Sequence, residues 1–363
     1  MPVVAVGLSG GVDSAVAALT LQEQGHTVLG LTMQTWDGSI ALPDTGRSGC
    51  FGPGEARDIE SAAAVARRLG IAHHVIGLSG EYRGSVLDYF RTEYLAGRTP
   101  NPCVRCNATV KFGALIKAAA VEGIRFDLFA TGHYSRLIRN GDRAVLCRAK
   151  DRRKDQSYFL SGLSQAQLSR MLLPLGDMTK AEVKAKARKA GWKDLADKPE
   201  SQDFIECDRY DALFRPEDHR PGPIRDLDGE VLGEHQGIAR YTVGQRKGVA
   251  RGGGRRALYV VGIDAAENSV IVGPKEALLV RSFEALEVRW HAGWPPDALL
   301  RLCAQVRSRH PGADALVTPA SGDRGARIEF DEPQSAVTPG QAAVLYDADA
   351  VFAAGVIGPT VRV

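Results

Sequence analysis

The stretch Ser9-Gly10-Gly11-Val12-Asp13-Ser14 decides the fold of this chain. It follows a β-branched apolar run at residues 3–8 and opens a helical pattern at residues 12–24. At such a junction the free N–H groups and the dipole of the helix attract an anion, and glycine lets the backbone approach it closely. No Gly-Lys-Ser/Thr follows, so the loop is not a Walker A motif. The sequence predicts a phosphate-binding loop; a Ser/Asp helix cap beside a glycine turn is the alternative without a ligand.

Outward from this loop, short apolar runs alternate with helical patterns over the first two hundred residues. Strands separated by helices of this length need crossover connections, which predict a doubly wound parallel sheet. Later the chain is broken by Gly and Pro, and from residue 283 it consists of short alternating strands. Such spacing is typical of a small closed β domain. We expect an α/β domain at residues 1–200, a small central domain at 201–275 and a β-barrel-like domain at 276–363.

Composition excludes several classes of protein. The 363 residues are 44% hydrophobic and 25% charged, which is too apolar for a disordered chain. No apolar run approaches the ~20 residues that a membrane span needs, and the N-terminus lacks the charged head of a signal peptide. We therefore expect a cytoplasmic protein with no membrane association. The net charge of +3 permits an acidic partner without demanding one.

The second informative stretch is residues 97–107, Gly-Arg-Thr-Pro-Asn-Pro-Cys-Val-Arg-Cys-Asn. It carries the pair Cys103-x-x-Cys106, which in a cytosolic protein indicates chemistry or a metal rather than a disulfide. The second half of a structural zinc site is missing from the sequence. Together with the loop at residues 9–14, which resembles the PP-loop of ATP pyrophosphatases, this stretch is similar to the tRNA-specific 2-thiouridylase (MnmA) family. The likeness continues through residues 154–160, 198–203, 241–248 and 339–342.

The resemblance implies an adenine nucleotide alpha hydrolase-like fold and a two-step reaction on tRNA. ATP and Mg²⁺ would serve adenylation of the C2 oxygen of the wobble uridine. Sulfur would then come from a cysteine persulfide loaded by a sulfur-relay partner. Cys207 would hold the persulfide, and the nucleophile Cys106 would release the sulfur by forming a disulfide with it.

The resemblance also implies three sets of binding residues. The ATP site would comprise Gly7, Leu8, Ser9, Gly10, Gly11, Val12, Asp13, Ser14, Met33 and Gly132. The loop beside the target base would comprise Asn101, Pro102 and Cys103. The tRNA contacts would be His133, Lys154, Asp155, Gln156, Arg307, Ser308 and Gln341.

This chain departs from the family pattern at three places. Many members have Asp where this chain has Cys103. Arg307-Ser308 stands where Arg-Tyr is usual, which removes a possible stacking surface. Cys207 lies four residues after the Ser-Gln-Asp motif that ends at residue 203, instead of two. On a strand this offset keeps the side-chain face but moves the thiol by ~7 Å.

Alternatives remain for the cysteines and for the function. Cys103, Cys106 and Cys207 could be three ligands of a [4Fe–4S] cluster, because Cys-x-x-Cys is a common cluster-binding element. The chain could also be another PP-loop adenylating ligase, which needs no reactive cysteines, or an RNA-binding metal protein in which ATP is structural. For Cys50, Cys147 and Cys303 we expect buried, small hydrophobic roles.

Two basic clusters are candidate phosphate contacts for an RNA. A solvated polar face is the alternative for each. The first cluster contains Arg148, Lys150, Arg152, Arg153 and Lys154, and the second contains Arg246, Lys247, Arg251, Arg255 and Arg256.

Overall fold

The computed structural model describes residues 1–363 except 45, 47, 48, 142, 199–203, 208, 209, 250–256, 294, 295 and 321–324. Arg251, Arg255 and Arg256 of the second basic cluster and residues 199–203 of the Lys-Pro-Glu-Ser-Gln-Asp motif lie outside the described residues. Within the described ranges, no helix combines the length and the apolar character that crossing a bilayer requires.

The helices and strands follow one another along the whole described chain. The α-helices are α1 Val12–Glu23, α2 Glu55–Leu69, α3 Ser79–Tyr82, α4 Asp88–Leu95, α5 Pro102–Cys106, α6 Leu115–Val121, α7 Ser157–Leu160, α8 Gln165–Leu168, α9 Lys180–Lys189 and α10 Lys193–Asp197, with π-helical turns at Arg83–Leu87 and Asn107–Ala114. The strands are β1 Val3–Gly7, β2 Thr27–Gln34, β3 His73–Gly77, β4 Leu128–Ala130, β5 Arg136–Asn140, β6 Arg143–Cys147, β7 Met171–Leu172, β8 Gly222–Arg225, β9 Val231–His235, β10 Tyr259–Asp264, β11 Ser269–Gly273, β12 Leu279–Trp290, β13 Leu300–Gln305, β14 Ala313–Pro319, β15 Ala326–Ser335, β16 Ala342–Asp347 and β17 Ala350–Arg362.

The first of two compact units comprises residues 1–86, 103–208 and 349–351. Its five-stranded sheet has the order β3-β2-β1-β4-β7, and its strands are parallel. The predicted doubly wound parallel sheet is confirmed. The strand order reverses at β1, which pairs with β2 on one side and β4 on the other. In open α/β sheets this reversal opens a crevice at the carboxyl ends of the strands, where ligands bind.

Burial on both faces explains why β1 is a continuous apolar run. Val4 and Val6 are fully buried, and α1 packs Val16 and Leu21 into the same core. Strands of parallel sheets lack polar alternation because helices cover both of their faces. Each such side chain contributes about 1.5–3 kcal/mol to folding. This core holds the end of β1, and therefore the glycine loop after it, in a fixed place.

The helix that carries Cys106 begins earlier than the sequence predicts. From the sequence we expect a rigid loop at residues 97–102 and a helix at residues 112–121, but helical structure starts at Pro102 and runs without a break to Val121. Proline suits the first helical position because its missing N–H has no partner there. A π-helical segment follows Cys106 directly, and Asn107 Nδ2 donates to the Phe159 carbonyl at 3.0 Å. π-Helical turns are frequent at functional sites.

The second unit comprises residues 87–102, 209–348 and 352–363. Its first sheet has the order β10-β11-β8-β9. It includes the hairpin of β10 and β11, which the apolar runs at residues 258–263 and 269–272 predict from the sequence. Its second sheet is a closed six-stranded barrel of β12-β15-β14-β13-β16-β17, closed by pairing of β12 with β17. Phe283, Phe330 and Val344 are buried inside the unit. The predicted β-barrel-like domain is confirmed.

Candidate active site

A cleft of about 350 Å³ lies at the carboxyl ends of β1, β2 and β4 in the first unit. Small-molecule sites typically measure roughly 300–1,000 Å³. Nine of the ten residues predicted to bind ATP line it: Gly7, Leu8, Ser9, Gly11, Val12, Asp13, Ser14, Met33 and Gly132. The predicted loop and the predicted strand ends are thus brought together at the reversal of strand order.

Gly10, the tenth residue, does not line the cleft but shapes the loop. Its φ of +69° lies in the left-handed region, and a Cβ there would stand 2.5 Å from Ser61 Cβ and 2.7 Å from the Asp58 carbonyl oxygen. Both neighbours belong to α2. A side chain at this position would therefore push the loop away from α2, so glycine is required.

The loop leaves the first amides of α1 open to an anion. Gly11 precedes the helix and has no side chain to cap it. Ser9 N–H donates to Ser14 Oγ at 3.2 Å, and Ser14 Oγ donates to the Gly11 carbonyl at 3.2 Å. These bonds fix the loop, and the first N–H groups of α1, which lack partners inside a helix, belong to residues that line the cleft.

Gly132 forms the opposite wall, in contact with the start of α1. A Cβ on Gly132 would stand 2.6 Å from the Asp13 carbonyl carbon and 2.7 Å from the Ser14 nitrogen. The loop after β4 can approach the glycine loop this closely only because no side chain intervenes.

Asp13 does not stand free in the cleft. Its carboxylate accepts hydrogen bonds from Tyr134 Oη at 2.7 Å and from Lys180 Nζ at 2.7 and 2.8 Å. Lys180 is the first residue of α9. The sequence identifies Lys180 only as part of the capping box that opens this helix. The box is confirmed, since Thr179 Oγ1 accepts from Glu182 N–H and the Glu182 carboxylate accepts from Thr179 N–H.

Further polar residues that line the cleft were missed from the sequence, among them Glu55, Lys111 and Lys198. Lys198 Nζ donates to the Gly10 carbonyl at 3.3 Å and pairs with Asp58 at 3.2 Å. Burial raises the pKa of Glu55, against the hydrogen bonds that its carboxylate accepts from Thr35 and Trp36. The lysines add positive charge to the wall, as a polyphosphate requires. Of these three residues, only Lys198 could have been identified as a site residue from the sequence, because it begins the motif at residues 198–203.

Cys106 is buried beside this cleft. Its side chain ends α5, and the residue is 6% exposed. Burial raises the pKa of its thiol to about 12, although the nearby Lys111 ammonium acts in the opposite direction. The thiolate is the nucleophilic form of cysteine. In this conformation the Cys106 thiol is therefore protonated at neutral pH, and the ammonium of the cleft-lining Lys111 is the nearby charge that favours its thiolate.

We expect Cys106 to react slowly with iodoacetamide at pH 8. A rise in pKa from 9.0 to about 12 lowers the thiolate fraction about 1,000-fold, and the higher nucleophilicity of that thiolate recovers part of the loss, which leaves labelling roughly 30-fold slower. The rate should climb with pH toward 12 instead of levelling near 9. Peptide mass spectrometry measures it, with the urea-unfolded chain as the control. Labelling at neutral pH as fast as in the unfolded chain would contradict the assignment.

The segment that carries Cys207 lies along the loop at residues 49–54. Tyr82 Oη donates to the Phe204 carbonyl at 3.0 Å, and Glu206 N–H donates to the Phe51 carbonyl at 3.0 Å. The buried Glu206 carboxylate accepts from Gly54 N–H at 2.8 Å, and a Cβ on Gly54 would stand 2.5 Å from Glu206 Oε1. Cys207 itself is half-buried.

The expectation for Cys50 is wrong. Cys50 is exposed and lines the cleft, because Gly49 and Gly52 around it turn the loop against Glu206. Cys147 is buried as expected, whereas Cys303 is only half-buried. The sequence carries no signal for the position of Cys50, because the neighbouring Gly49 bonds to Glu206, which lies 157 residues later in the chain.

The predicted tRNA contacts fall in both units. In the first unit, His133 and Gln156 line the cleft. Burial lowers the pKa of His133 well below its usual value, so the ring is neutral, and its Nδ1 lies 2.8 Å from Thr131 Oγ1. The Asp155 carboxylate is engaged inside the protein, where it accepts from Ala149 N–H and Ser157 Oγ. Lys154 is half-buried beside it.

In the second unit, Gln341 Nε2 donates to the carbonyls of Thr99 and Pro100, at 3.1 and 3.2 Å. These residues immediately precede Asn101 and Pro102, so the structure brings Gln341 to the predicted target-base loop. Arg307 and Ser308 are exposed after β13, and Arg307 donates to the Ser335 carbonyl.

The residues do not fit an iron–sulfur cluster in this conformation. Within the described ranges, no three His, Cys, Asp or Glu side chains are grouped so as to hold a metal, so Cys103, Cys106 and Cys207 are not assembled as ligands.

Three family models match successive parts of the chain. They are described as a tRNA methyl transferase HUP domain at residues 2–207, a tRNA methyl transferase PRC-barrel domain at 212–274 and an aminomethyltransferase beta-barrel domain at 280–357. The tRNA-specific 2-thiouridylase MnmA of Endomicrobium trichonymphae is 45% identical over 356 residues, covering 97% of this chain and 98% of the relative. That of Geobacter metallireducens is 44% identical over 360 residues, covering 97% and 95%. Among solved structures, a predicted tRNA methyltransferase subunit from Methanocaldococcus jannaschii aligns with a TM-score of 0.33 at 18% identity, over 52% of this chain and 76% of that one.

Proposed function

Because this chain belongs to the tRNA-specific 2-thiouridylase family, we propose that it is an enzyme that replaces the C2 oxygen of the tRNA wobble uridine with sulfur, using ATP. One observation carries the proposal. Lys111 lines the nucleotide cleft and also acts on the buried Cys106 thiol, so the phosphate-binding loop and a candidate sulfur nucleophile share one wall. Other PP-loop ligases need no thiol at that position.

The first half-reaction is adenylation. ATP is cleaved between its α and β phosphates, the uracil C2 oxygen receives AMP, and pyrophosphate leaves. The amides at the start of α1 and the cleft lysines are placed to stabilise charge on the leaving group. Mg²⁺ prefers one or two carboxylates together with phosphate oxygens, and Asp13 is the carboxylate of this loop that fits that role. When bound, the ion would supply charge neutralisation at the phosphates.

The second half-reaction is sulfur transfer. A relay protein loads Cys207 with a persulfide, whose terminal sulfur forms the bond to C2 while AMP leaves with the oxygen. Cys106 then attacks the Cys207 sulfur, which breaks the persulfide S–S bond and forms a Cys106–Cys207 disulfide. A dithiol reductant restores both thiols. Cys103 has no part in these steps.

We also propose that the domains divide the work. Residues 1–200 form the catalytic domain, residues 201–275 a central tRNA-binding domain, and residues 276–363 a β domain that adds Arg307, Ser308 and Gln341 to the tRNA contacts.

A reconstituted reaction tests the proposal. Purified chain, ATP, Mg²⁺, a tRNA transcript and a persulfide donor should yield 2-thiouridine at the wobble position by nucleoside mass spectrometry, with AMP and pyrophosphate as products. ADP and orthophosphate as primary products would refute α–β cleavage. Products of α–β cleavage without thiolated tRNA would favour another PP-loop ligase, and no nucleotide turnover in the presence of tRNA would favour structural ATP.

The double variant Arg152→Glu/Arg153→Glu should weaken binding of all tRNAs alike. Both residues are exposed, and Arg152 pairs with Asp349 in the free protein. If they contact phosphates, each lost contact should lower the slope of log affinity against log salt by about 0.7–0.9. Filter binding at several salt concentrations measures this slope.

The matched control is Arg67→Glu/Arg68→Glu on α2. These arginines are also adjacent and exposed, and Arg68 likewise pairs with an aspartate, Asp194. The control makes the same change in charge and should leave tRNA affinity unchanged. Equal losses in both double variants, or none in either, would mean that the cluster around Arg152 is a solvated face.

A further inference from the structure

Cys50 is an exposed thiol in the wall of the nucleotide cleft, which Lys111 also lines. The buried Cys106 sulfur accepts a hydrogen bond from the Lys111 backbone N–H. Burial first, and then the nearby Cys50 thiol, raise the pKa of Cys106 to about 12. An accessible thiol therefore lies close to the candidate nucleophile, which is itself withdrawn from solvent.

The loop that carries Cys50 also packs against the segment that carries Cys207. Gly49 N–H donates to the Glu206 carboxylate at 3.3 Å, and Glu206 N–H donates to the Phe51 carbonyl at 3.0 Å. The residues on both sides of Cys50 thus contact the residue directly before Cys207. All of these residues belong to the first unit. Cys50 is therefore a neighbour of both thiols that take part in the proposed sulfur transfer.

The proposed reaction leaves its disulfide where an external reductant reaches it poorly. Cys106 is buried and Cys207 is half-buried. In thiol–disulfide exchange the attacking thiolate must reach one of the two sulfur atoms, so the rate depends on access. Cys50, in contrast, is exposed and is already held beside the Cys207 segment. A thiol in this position can exchange with the disulfide from inside the protein.

We propose that Cys50 is the resolving thiol of this enzyme, which takes over the disulfide formed during sulfur transfer and exposes it to a reductant. Cys50 loses its proton to water, and its thiolate attacks the Cys207 sulfur. The Cys106–Cys207 bond breaks, a Cys50–Cys207 disulfide forms, and Cys106 leaves as a thiolate that takes a proton from water. A dithiol then attacks the Cys50 sulfur and expels Cys207, and its second thiol closes a ring disulfide and expels Cys50. The inference rests on the proposed sulfur transfer.

Disulfide mapping tests the placement of the thiols without the reaction. The full-length Cys106→Ala chain is oxidised with glutathione disulfide in the absence of ATP and tRNA, and its peptides are mapped without reduction. We expect a Cys50–Cys207 disulfide in most of the chains. A map that holds only mixed disulfides with glutathione would overturn the inference, and so would a disulfide that joins Cys207 to Cys103 instead.

Turnover tests the role itself. In the reconstituted reaction with dithiothreitol as the reductant, we compare the rate of later turnovers with the rate of the first. In Cys50→Ser this ratio should fall by about tenfold or more, because the disulfide no longer moves to an accessible sulfur. The Cys106–Cys207 disulfide should accumulate in the same samples. The control is Cys303→Ser in the second unit, which should keep the wild-type ratio.

The outcomes separate this inference from the proposed function. A wild-type ratio in Cys50→Ser would overturn the role of Cys50, while thiolation by the wild-type chain would leave the proposed function standing. Absence of 2-thiouridine in the first turnover of the wild-type chain would refute the proposed function. The disulfide map of Cys106→Ala would still decide whether Cys50 and Cys207 are placed to exchange.

Discussion

Cys106→Ala should abolish formation of 2-thiouridine, on the order of 10⁴-fold or more, because loss of a nucleophile removes a whole chemical route. Adenylation should survive, since Cys106 lies beside the cleft and is not among the residues that line it. We therefore expect a burst of about one pyrophosphate per enzyme with no thiolated nucleoside. Quenched-flow measurement of pyrophosphate and mass spectrometry of the tRNA nucleosides detect the two products separately.

The other cysteines provide the controls. Cys207→Ala should behave like Cys106→Ala, whereas Cys103→Ala should keep substantial activity and Cys303→Ala, in the barrel, should be normal. Thiolation that persists in Cys106→Ala would refute the role of this thiol. Anaerobic purification tests the cluster: a brown protein absorbing near ~400 nm that loses colour and activity in Cys103→Ala would make Cys103, Cys106 and Cys207 ligands instead.

Gly132→Ala should lower the affinity for ATP by about 10- to 100-fold, because forcing an extra atom into a filled contact costs about 1–3 kcal/mol and each 1.4 kcal/mol is about tenfold in affinity. The added Cβ would stand 2.6 Å from the Asp13 carbonyl carbon and 2.7 Å from the Ser14 nitrogen, and both atoms are backbone. Backbone atoms at the start of α1 cannot rotate out of the way as a side chain can. The glycine loop itself must therefore shift to make room for the added Cβ. Titration with ATP measures the loss, and thermal unfolding reports whether the fold survives.

Gly77→Ala is the matched control. Gly77 ends β3 at the same edge of the same sheet, and a Cβ there meets nothing within 4 Å. It should bind ATP as the wild type does. Normal ATP affinity in Gly132→Ala would mean that contact with the glycine loop does not set the shape of the nucleotide site.

Local patterns in the sequence predict those helices, strands and turns whose formation depends on residues close together in the chain. Val3–Gly7 followed by a glycine loop and a helix predicts the first crossover, and the alternation in the last eighty residues predicts the barrel. The hairpin of β5 and β6 was missed, because its outer strand is largely exposed and charged and so carries no apolar alternation. An alternation of apolar and polar residues arises only where one face of a strand is buried, and neither face of β5 is fully buried.

The polar contacts of the cleft could not be predicted, because their partners are distant in sequence. Lys180 reaches Asp13 across 167 residues, and Glu206 reaches Gly54 across 152. Nothing near Lys180 distinguishes it from the first residue of an ordinary capped helix. The reactivity of Cys106 depends likewise on how deeply the fold buries it, which residue spacing does not encode.

The bond between Glu206 and the loop at residues 49–54 has a consequence for protein engineering. The Glu206 side chain occupies the space that side chains at residues 52 and 54 would need. The loop at residues 49–54 and the segment that carries Cys207 therefore pack together only because the loop has glycine at these positions. A chimera that imported residues 204–207 into a related scaffold without this glycine loop would drive a charged group into a Cβ atom. The two segments must be exchanged together, although some 150 residues of chain separate them.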